Sequence, residues 1–253
     1  MANLGASTAW GLVVAASLVA GAVVAVLVEL PPRFAATITA FGGGTLLAAV
    51  ALQLVPAADS AAGPGLTAAG LAAGTLAYVG ADVWLTRDPG TRAMRRMGHA
   101  MVAGRAKPMA DEAAEGEVVA AGIFVDGVPE SIALGLTVAG SGIGVALLVG
   151  VLLGNLVESY GSAHLIVHGG RPRRFAITLL TAIGLALGFA TVLGGTALAG
   201  AGAKAIGAAQ ALSAGAILAV VSIAIIPHTF SEVSRRVAIA TMLGFLGGYL
   251  LST

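Results

Sequence analysis

Two carboxylates lie in the middle of an apolar stretch long enough to cross a membrane, VAAGIFVDGVPESIALGL. Asp126 and Glu130 are four residues apart, so on a helix they share one face, with Cβ atoms about 5–6 Å apart. A charged side chain at the centre of a membrane helix costs roughly 2.5–3.5 kcal/mol on insertion scales. A helix that only faces lipid has no use for such residues, whereas a helix that binds a cation does.

A glycine and a proline accompany these acids. Pro129 has no N–H, so the carbonyl of Val125, four residues earlier, loses its helical hydrogen bond. Gly127 loosens the same turn. We predict that Gly127 and Pro129 open the helix and add a free carbonyl oxygen to the carboxylates.

A third acid lies in the next apolar stretch, where the run NLVES resembles GVPES around Glu130. A tight turn at residues 140–144 joins the two stretches, so we expect antiparallel neighbours in which Glu130 and Glu158 face each other. Two close carboxylates cannot both stay ionised in a dry site. The pattern therefore predicts a metal site, a proton relay, or both in alternation.

Composition places these residues in a membrane protein. Of 253 residues, 58% are hydrophobic and 10% charged, and mean hydropathy is +0.97, which is far too apolar for a soluble domain of this size. A net charge of +1 argues against a nucleic-acid partner, and the absence of cysteine excludes disulfides and thiolate ligands. The lipid bilayer is the expected surrounding.

Hydropathy predicts an all-α polytopic membrane protein in which residues 1–253 form a single transmembrane domain. A span needs about 20 apolar residues. Eight spans are predicted near 6–28, 35–56, 65–86, 118–139, 142–167, 176–199, 208–229 and 236–252, with a long loop at 87–117.

Basic residues predict the orientation. With eight spans, 12 of the 13 Lys and Arg residues fall on one face, leaving Lys204 opposite. The positive-inside rule makes the rich face cytoplasmic, so loop 87–117 is cytoplasmic and both termini are extracytoplasmic. Many arginines beside few lysines indicate a GC-rich bacterial genome, and hence a bacterial plasma membrane.

The second and seventh spans resemble each other. GTLLAAVALQLVP, residues 44–56, and GAILAVVSIAIIP, residues 215–227, have Gly and Pro twelve residues apart with apolar residues between them. The two spans run in opposite directions, as expected for inverted repeats. Chance similarity in an Ala, Val and Leu-rich chain is the alternative.

The chain resembles the ZIP (Zrt/Irt-like) family of divalent metal transporters. FVDGVPESIALGL is similar to the fourth helix of that family, which reads His-Asn-x-Pro-Glu-Gly, and GNLVES is similar to the fifth. GGGTLLAAVALQLVPAADS and AGAILAVVSIAIIPHTFSE resemble the second and seventh helices. Eight spans, outside termini and a long cytoplasmic loop after the third span also fit, so the resemblance covers nearly the whole chain.

The resemblance implies a 3+2+3 inverted-repeat bundle, a homodimer, and alternating access through a cation site between helices 4 and 5. Glu130 and Glu158 match the two ligand glutamates of the family, and Asp126 stands at the usual histidine. The chain departs from the pattern at four further positions: Gly127 replaces a ligand Asn, Gly154 a His or Gln, Asn155 an acid and Val157 a proline. The predicted sixth span contains no acid for a second metal.

The candidate ligands that this chain retains are oxygen donors: Asp126, Glu130, Glu158 and the Asn155 amide. Such donors suit Mg²⁺, Mn²⁺ and Ca²⁺, although Zn²⁺ and Fe²⁺ also accept carboxylates. We expect no prosthetic group and a transported ion of the Zn, Mn or Fe class, with Cd and Co also open.

Residues near the span ends complete the predicted path. Asp59, at an outer end, is a candidate for the point where the ion enters, with plain solvation as the alternative. Two i, i+4 pairs at the inner ends of spans are candidate sites for release of the ion or for proton exchange. The alternative is that histidine is simply favourable at the membrane–water interface and has no role in transport. The pairs are His164 with His168 and His228 with Glu232.

Two other classes of function compete with transport. An intramembrane enzyme would need paired Asp, a His-Glu-x-x-His motif or a Ser/His dyad, and the sequence contains none of these at matched depth, so we expect no enzyme. A structural or sensory membrane protein of the same fold, without transport, stays open.

Overall fold

A computed structural model describes residues 2–85, 112–140, 144–197 and 201–252. These residues form helices and short connections, and no strand occurs among them. The helices are α1 (Ala2–Leu27), α2 (Pro32–Ala49), α3 (Val55–Ala62), α4 (Pro64–Leu85), α5 (Glu112–Gly140), α6 (Val145–His168), α7 (Arg173–Ala197), α8 (Ala203–Val220), α9 (Ile226–Val233) and α10 (Arg236–Leu250).

Seven helices of the described part are long and apolar enough to cross a membrane, which confirms the all-α class and is compatible with a membrane protein. The eighth predicted span is the shorter apolar helix α10. Its 15 residues extend about 22 Å at 1.5 Å per residue, less than the hydrocarbon core of roughly 30 Å. Most of the predicted loop 87–117 lies outside the described residues, and helix α5 already begins at Glu112 within its last part.

Single π-helical turns interrupt the second and seventh spans. They cover Val50–Leu54 and Val221–Ile225, and the chain continues directly into α3 and α9. Each turn ends just before a proline, Pro56 or Pro227, which cannot donate a helical hydrogen bond. The second span therefore continues to Ala62, beyond its predicted end at residue 56.

Four spans of the described part are more buried than the others. They are the spans that begin with α2, α5, α6 and α8, each with 61% of its most apolar stretch buried, and Leu46, Leu147 and Ile217 on them are almost completely buried. Helices α1 and α7 pack on α5 and α6, while α10 packs on α2 and α4 packs on α8. The predicted acids on α5 and α6 therefore lie within the most buried set of helices.

Glycines bring the helix backbones into direct contact. A Cβ on Gly11 of α1 would lie 2.6 Å from the carbonyl oxygen of Gly188 on α7, and the reverse substitution would meet the Gly11 oxygen at 2.6 Å. Gly21 of α1 approaches the Leu156 carbonyl of α6 just as closely. Small residues allow this close packing between membrane helices, so the many glycines serve the packing of the bundle.

Candidate cation site

Helices α5 and α6 run antiparallel along their whole length, as the sequence predicts. Near one end, Ser162 Oγ of α6 donates a hydrogen bond of 2.8 Å to the Gly116 carbonyl of α5. Near the other end, the Gly144 N–H just before α6 donates to Thr137 Oγ1 of α5 at 3.4 Å. The predicted acids lie between these two contacts.

The three acids share one region of the protein interior. Glu130 and Asp126 are 6% and 7% exposed, and Glu158 is half-buried. The carboxylate of Glu130 is close enough to be repelled by the charges of Glu158 and, more weakly, of Asp126. The structure thus brings together the acids that the sequence singled out.

In the described helices, no Lys or Arg lies near the middle of a span. Helices α5 and α6 contain no Lys or Arg, and the basic residues of the other described helices occur only in their first turns. Repulsion between buried carboxylates is strong because the local dielectric is low. Within the described helices, protons or a bound cation could supply the balancing charge.

Two buried polar atoms near the acids lack hydrogen bonds. Asn155 and Ser131 are 3% and 0% exposed, and neither Asn155 Nδ2 nor Ser131 Oγ has a partner. The Asn155 amide has an oxygen that can bind a cation and a nitrogen that can donate a hydrogen bond to water. Unsatisfied buried polar groups cost about 1–3 kcal/mol each, and a bound ion or water would remove that cost.

Gly154 and Glu158 have accessible surface in the middle of α6. Both are half-buried, although Leu147, Val151 and Leu165 on the same stripe of α6 are almost completely buried. A Cβ built on Gly154 meets no atom within 4 Å. We refer to this accessible surface, which lies between packed segments of α6, as the opening at Gly154.

The prediction that Gly127 and Pro129 open the helix needs correction. Helix α5 runs from Glu112 to Gly140 without interruption, with Pro129 inside it. A Cβ on Gly127 would lie 2.5 Å from Leu187 Cδ1 of α7. Gly127 therefore allows close packing, and Pro129 contributes only the missing N–H opposite the Val125 carbonyl.

Tyr78 is a residue of the site that sequence reasoning does not single out. This α4 side chain is 3% exposed, and its hydroxyl donates a hydrogen bond of 2.6 Å to Asp126 Oδ1. A tyrosine in the middle of an Ala, Gly and Leu-rich span was the available signal, since buried tyrosine hydroxyls usually find a partner.

The first histidine pair is assembled at the end of α6. The rings of His164 and His168 lie 3.9 Å apart, and Tyr160 stacks on His164 at 5.8 Å. Glu29, which the sequence did not connect with this pair, places Oε1 3.9 Å from His168 Nε2. Beside them, Arg171 forms an ion pair of 3.0 Å with Glu117.

The other predicted path residues lie on α3 and α9. Asp59 is exposed on α3, which packs mainly against α8. His228 and Glu232 belong to α9, and their side chains lie outside the described part of the structure.

A complete coordination shell is not assembled in this conformation. Among the described residues, no three His, Asp or Glu side chains converge closely enough to hold a metal ion.

Comparison of the chain with known protein families and with curated proteins gave no match.

Proposed function

We propose that this protein carries divalent metal cations across a membrane, with Asp126, Glu130 and Glu158 as the ligands of the transported ion. The observation that supports this most is the electrostatic cluster of three acids in helices that contain no Lys or Arg. Intramembrane acids are expensive and mark ion pathways and proton relays. A divalent cation compensates two of the charges at once, and Asn155 contributes an amide oxygen.

The donor set suits Mn²⁺ and also accepts Fe²⁺ and Zn²⁺, the ions that the family resemblance implies, with Cd²⁺ and Co²⁺ as further substrates. Carboxylate and amide oxygens bind all of these ions, and the lack of a thiolate or central imidazole keeps affinity modest. The opening at Gly154 admits the ion together with water. Weak binding suits transport, because an ion that binds too tightly is not released.

Matching contacts in the two halves support inverted repeats and alternating access. Helix α2 packs on α10 as α8 packs on α4, and both spans contain a π-helical turn before a proline. The glycines also correspond. Gly44 meets the Thr241 carbonyl and Gly215 the Leu71 carbonyl, while Gly244 meets Phe41 and Gly74 meets Leu212.

The same proposal assigns a path and an orientation. The ion enters near Asp59, binds between α5 and α6, and leaves past His164 and His168, with Glu29 beside them. The basic loops support an orientation in which this release end is in the cytoplasm of a bacterial cell and both termini are outside. A homodimer is the proposed assembly.

The proposal is tested by uptake of Mn²⁺, Fe²⁺, Zn²⁺, Cd²⁺, Co²⁺ and Mg²⁺ into liposomes that contain the purified protein. We expect uptake of at least one transition-metal ion above that of protein-free liposomes. Failure of every ion, with folded protein in the membrane, would favour the structural or sensory alternative.

Filling the opening should block transport without unfolding the protein. Gly154→Leu places apolar bulk where a Cβ now meets no atom within 4 Å, so we expect uptake to fall about tenfold or more, because pore width and polarity govern ion passage. Thermal stability should stay close to that of the parent. The matched control is Gly80→Leu, which adds the same side chain to an exposed glycine of α4 and should leave uptake unchanged; equal uptake by both variants would contradict a path through this opening.

A further inference from the structure

Tyr78 is a buried polar residue on a helix that is largely exposed. Helix α4 is the least buried of the seven apolar helices in the described part, since 17% of its most apolar stretch is buried inside the protein. It packs mainly on α8 and makes few contacts with α5. The tyrosine hydroxyl nevertheless reaches across to Asp126 on α5.

The hydrogen bond between Tyr78 and Asp126 is short. The distance of 2.6 Å from Tyr78 Oη to Asp126 Oδ1 lies at the short end of the range for O–H···O hydrogen bonds. Both side chains are buried, so the bond restricts the rotamers that the Asp126 carboxyl group can adopt.

We propose that Tyr78 is a positioning residue that holds the Asp126 carboxylate ready for the cation. This inference rests on the proposed transport function. The phenol engages Oδ1 and so limits the directions from which the Asp126 carboxylate can bind the ion. A ligand held in place loses less conformational freedom when the ion binds, which strengthens binding.

The position of Tyr78 argues against a role in packing alone. Helix α4 already has a polar tether to α8 one turn away, because Thr75 Oγ1 donates a hydrogen bond of 3.0 Å to the Gly215 carbonyl. Thr75→Val removes that tether with little change of volume and touches no acid. It is therefore a matched control for Tyr78→Phe, which removes a single oxygen from the same helix.

The experiment measures uptake of the best transported ion as a function of its concentration. For Tyr78→Phe we expect the concentration giving half-maximal uptake to rise about tenfold, as for the loss of one hydrogen bond to a charged group, with maximal uptake within about twofold of the parent. Thr75→Val should leave both values unchanged. In an Asp126→Asn background, Tyr78→Phe should have no further effect, since the residue acts through Asp126.

Ion-induced thermal stabilisation in detergent provides a second measurement that does not depend on transport. The ion concentration giving half of the stabilisation should rise in parallel for Tyr78→Phe. An unchanged concentration dependence, an equal effect of Thr75→Val, or an undiminished effect in the Asp126→Asn background would overturn the inference. Absence of uptake by the parent protein would instead contradict the proposed function itself.

Discussion

Glu130→Gln should abolish uptake while leaving the protein folded. The substitution keeps the shape of the side chain but removes an anionic ligand. Loss of one charge from a buried ion pair costs roughly 3–5 kcal/mol, so the affinity for the ion should fall about a hundredfold or more. The same change removes a 6% exposed carboxylate that is repelled by Glu158 and Asp126. Without metal, the variant should therefore be at least as stable as the parent.

This opposite response of activity and stability distinguishes a binding site from a structural network. Functional sites commonly sacrifice stability in this way. Glu117→Gln is the matched control, since it removes a carboxylate from the start of the same helix, where Glu117 pairs with Arg171; uptake should persist. If Glu130→Gln transports like the parent, or if it unfolds while Glu117→Gln does not, the acids do not form the ion site.

Gly74→Ala should destabilise the protein strongly for a single added methyl group. The new Cβ would lie far inside contact distance of the Leu212 carbonyl oxygen and 3.1 Å from the Ala216 nitrogen. Both neighbours are backbone atoms of α8, so only separation of the helices relieves the clash. Overpacking of this kind costs about 1–3 kcal/mol, and we expect the unfolding temperature to fall by roughly 5 °C.

The same helix contains the control. Gly80 meets no atom within 4 Å, so Gly80→Ala should be neutral or slightly stabilising because alanine favours helix over glycine. Thermal unfolding in detergent, followed by loss of the monodisperse peak, measures both variants. Equal unfolding temperatures would show that α4 and α8 are not in backbone contact.

The sequence is a good guide to the helices because each span must satisfy its backbone hydrogen bonds internally. Apolar length therefore predicts where the membrane helices lie, and the glycine content predicts their close packing. The π-helical turns at Val50 and Val221 were not predicted. A proline in an apolar stretch signals a disturbed turn, but whether the helix kinks, stops or widens depends on the neighbours that satisfy the freed carbonyls.

The site could be predicted only in part for a related reason. Glu130, Glu158 and Asp126 are conspicuous because charge is costly in lipid, and their helices are adjacent in the chain. Tyr78 lies on a helix far away in sequence, and a tyrosine in a membrane span has many uses. Glu29 is equally distant from His168. Contacts between non-adjacent helices depend on the packing of the bundle, which local sequence does not encode.

A divalent cation bound among the three acids of α5 and α6 can be located by anomalous X-ray diffraction from crystals grown with Mn²⁺ or Cd²⁺. We expect an anomalous peak within coordination distance of the carboxylates of Glu130 and Glu158, and we expect it to be absent from crystals of Glu130→Gln under the same conditions. A map with the acids clearly ordered and no peak among them, or with the same peak in the variant, would contradict cation binding at this site.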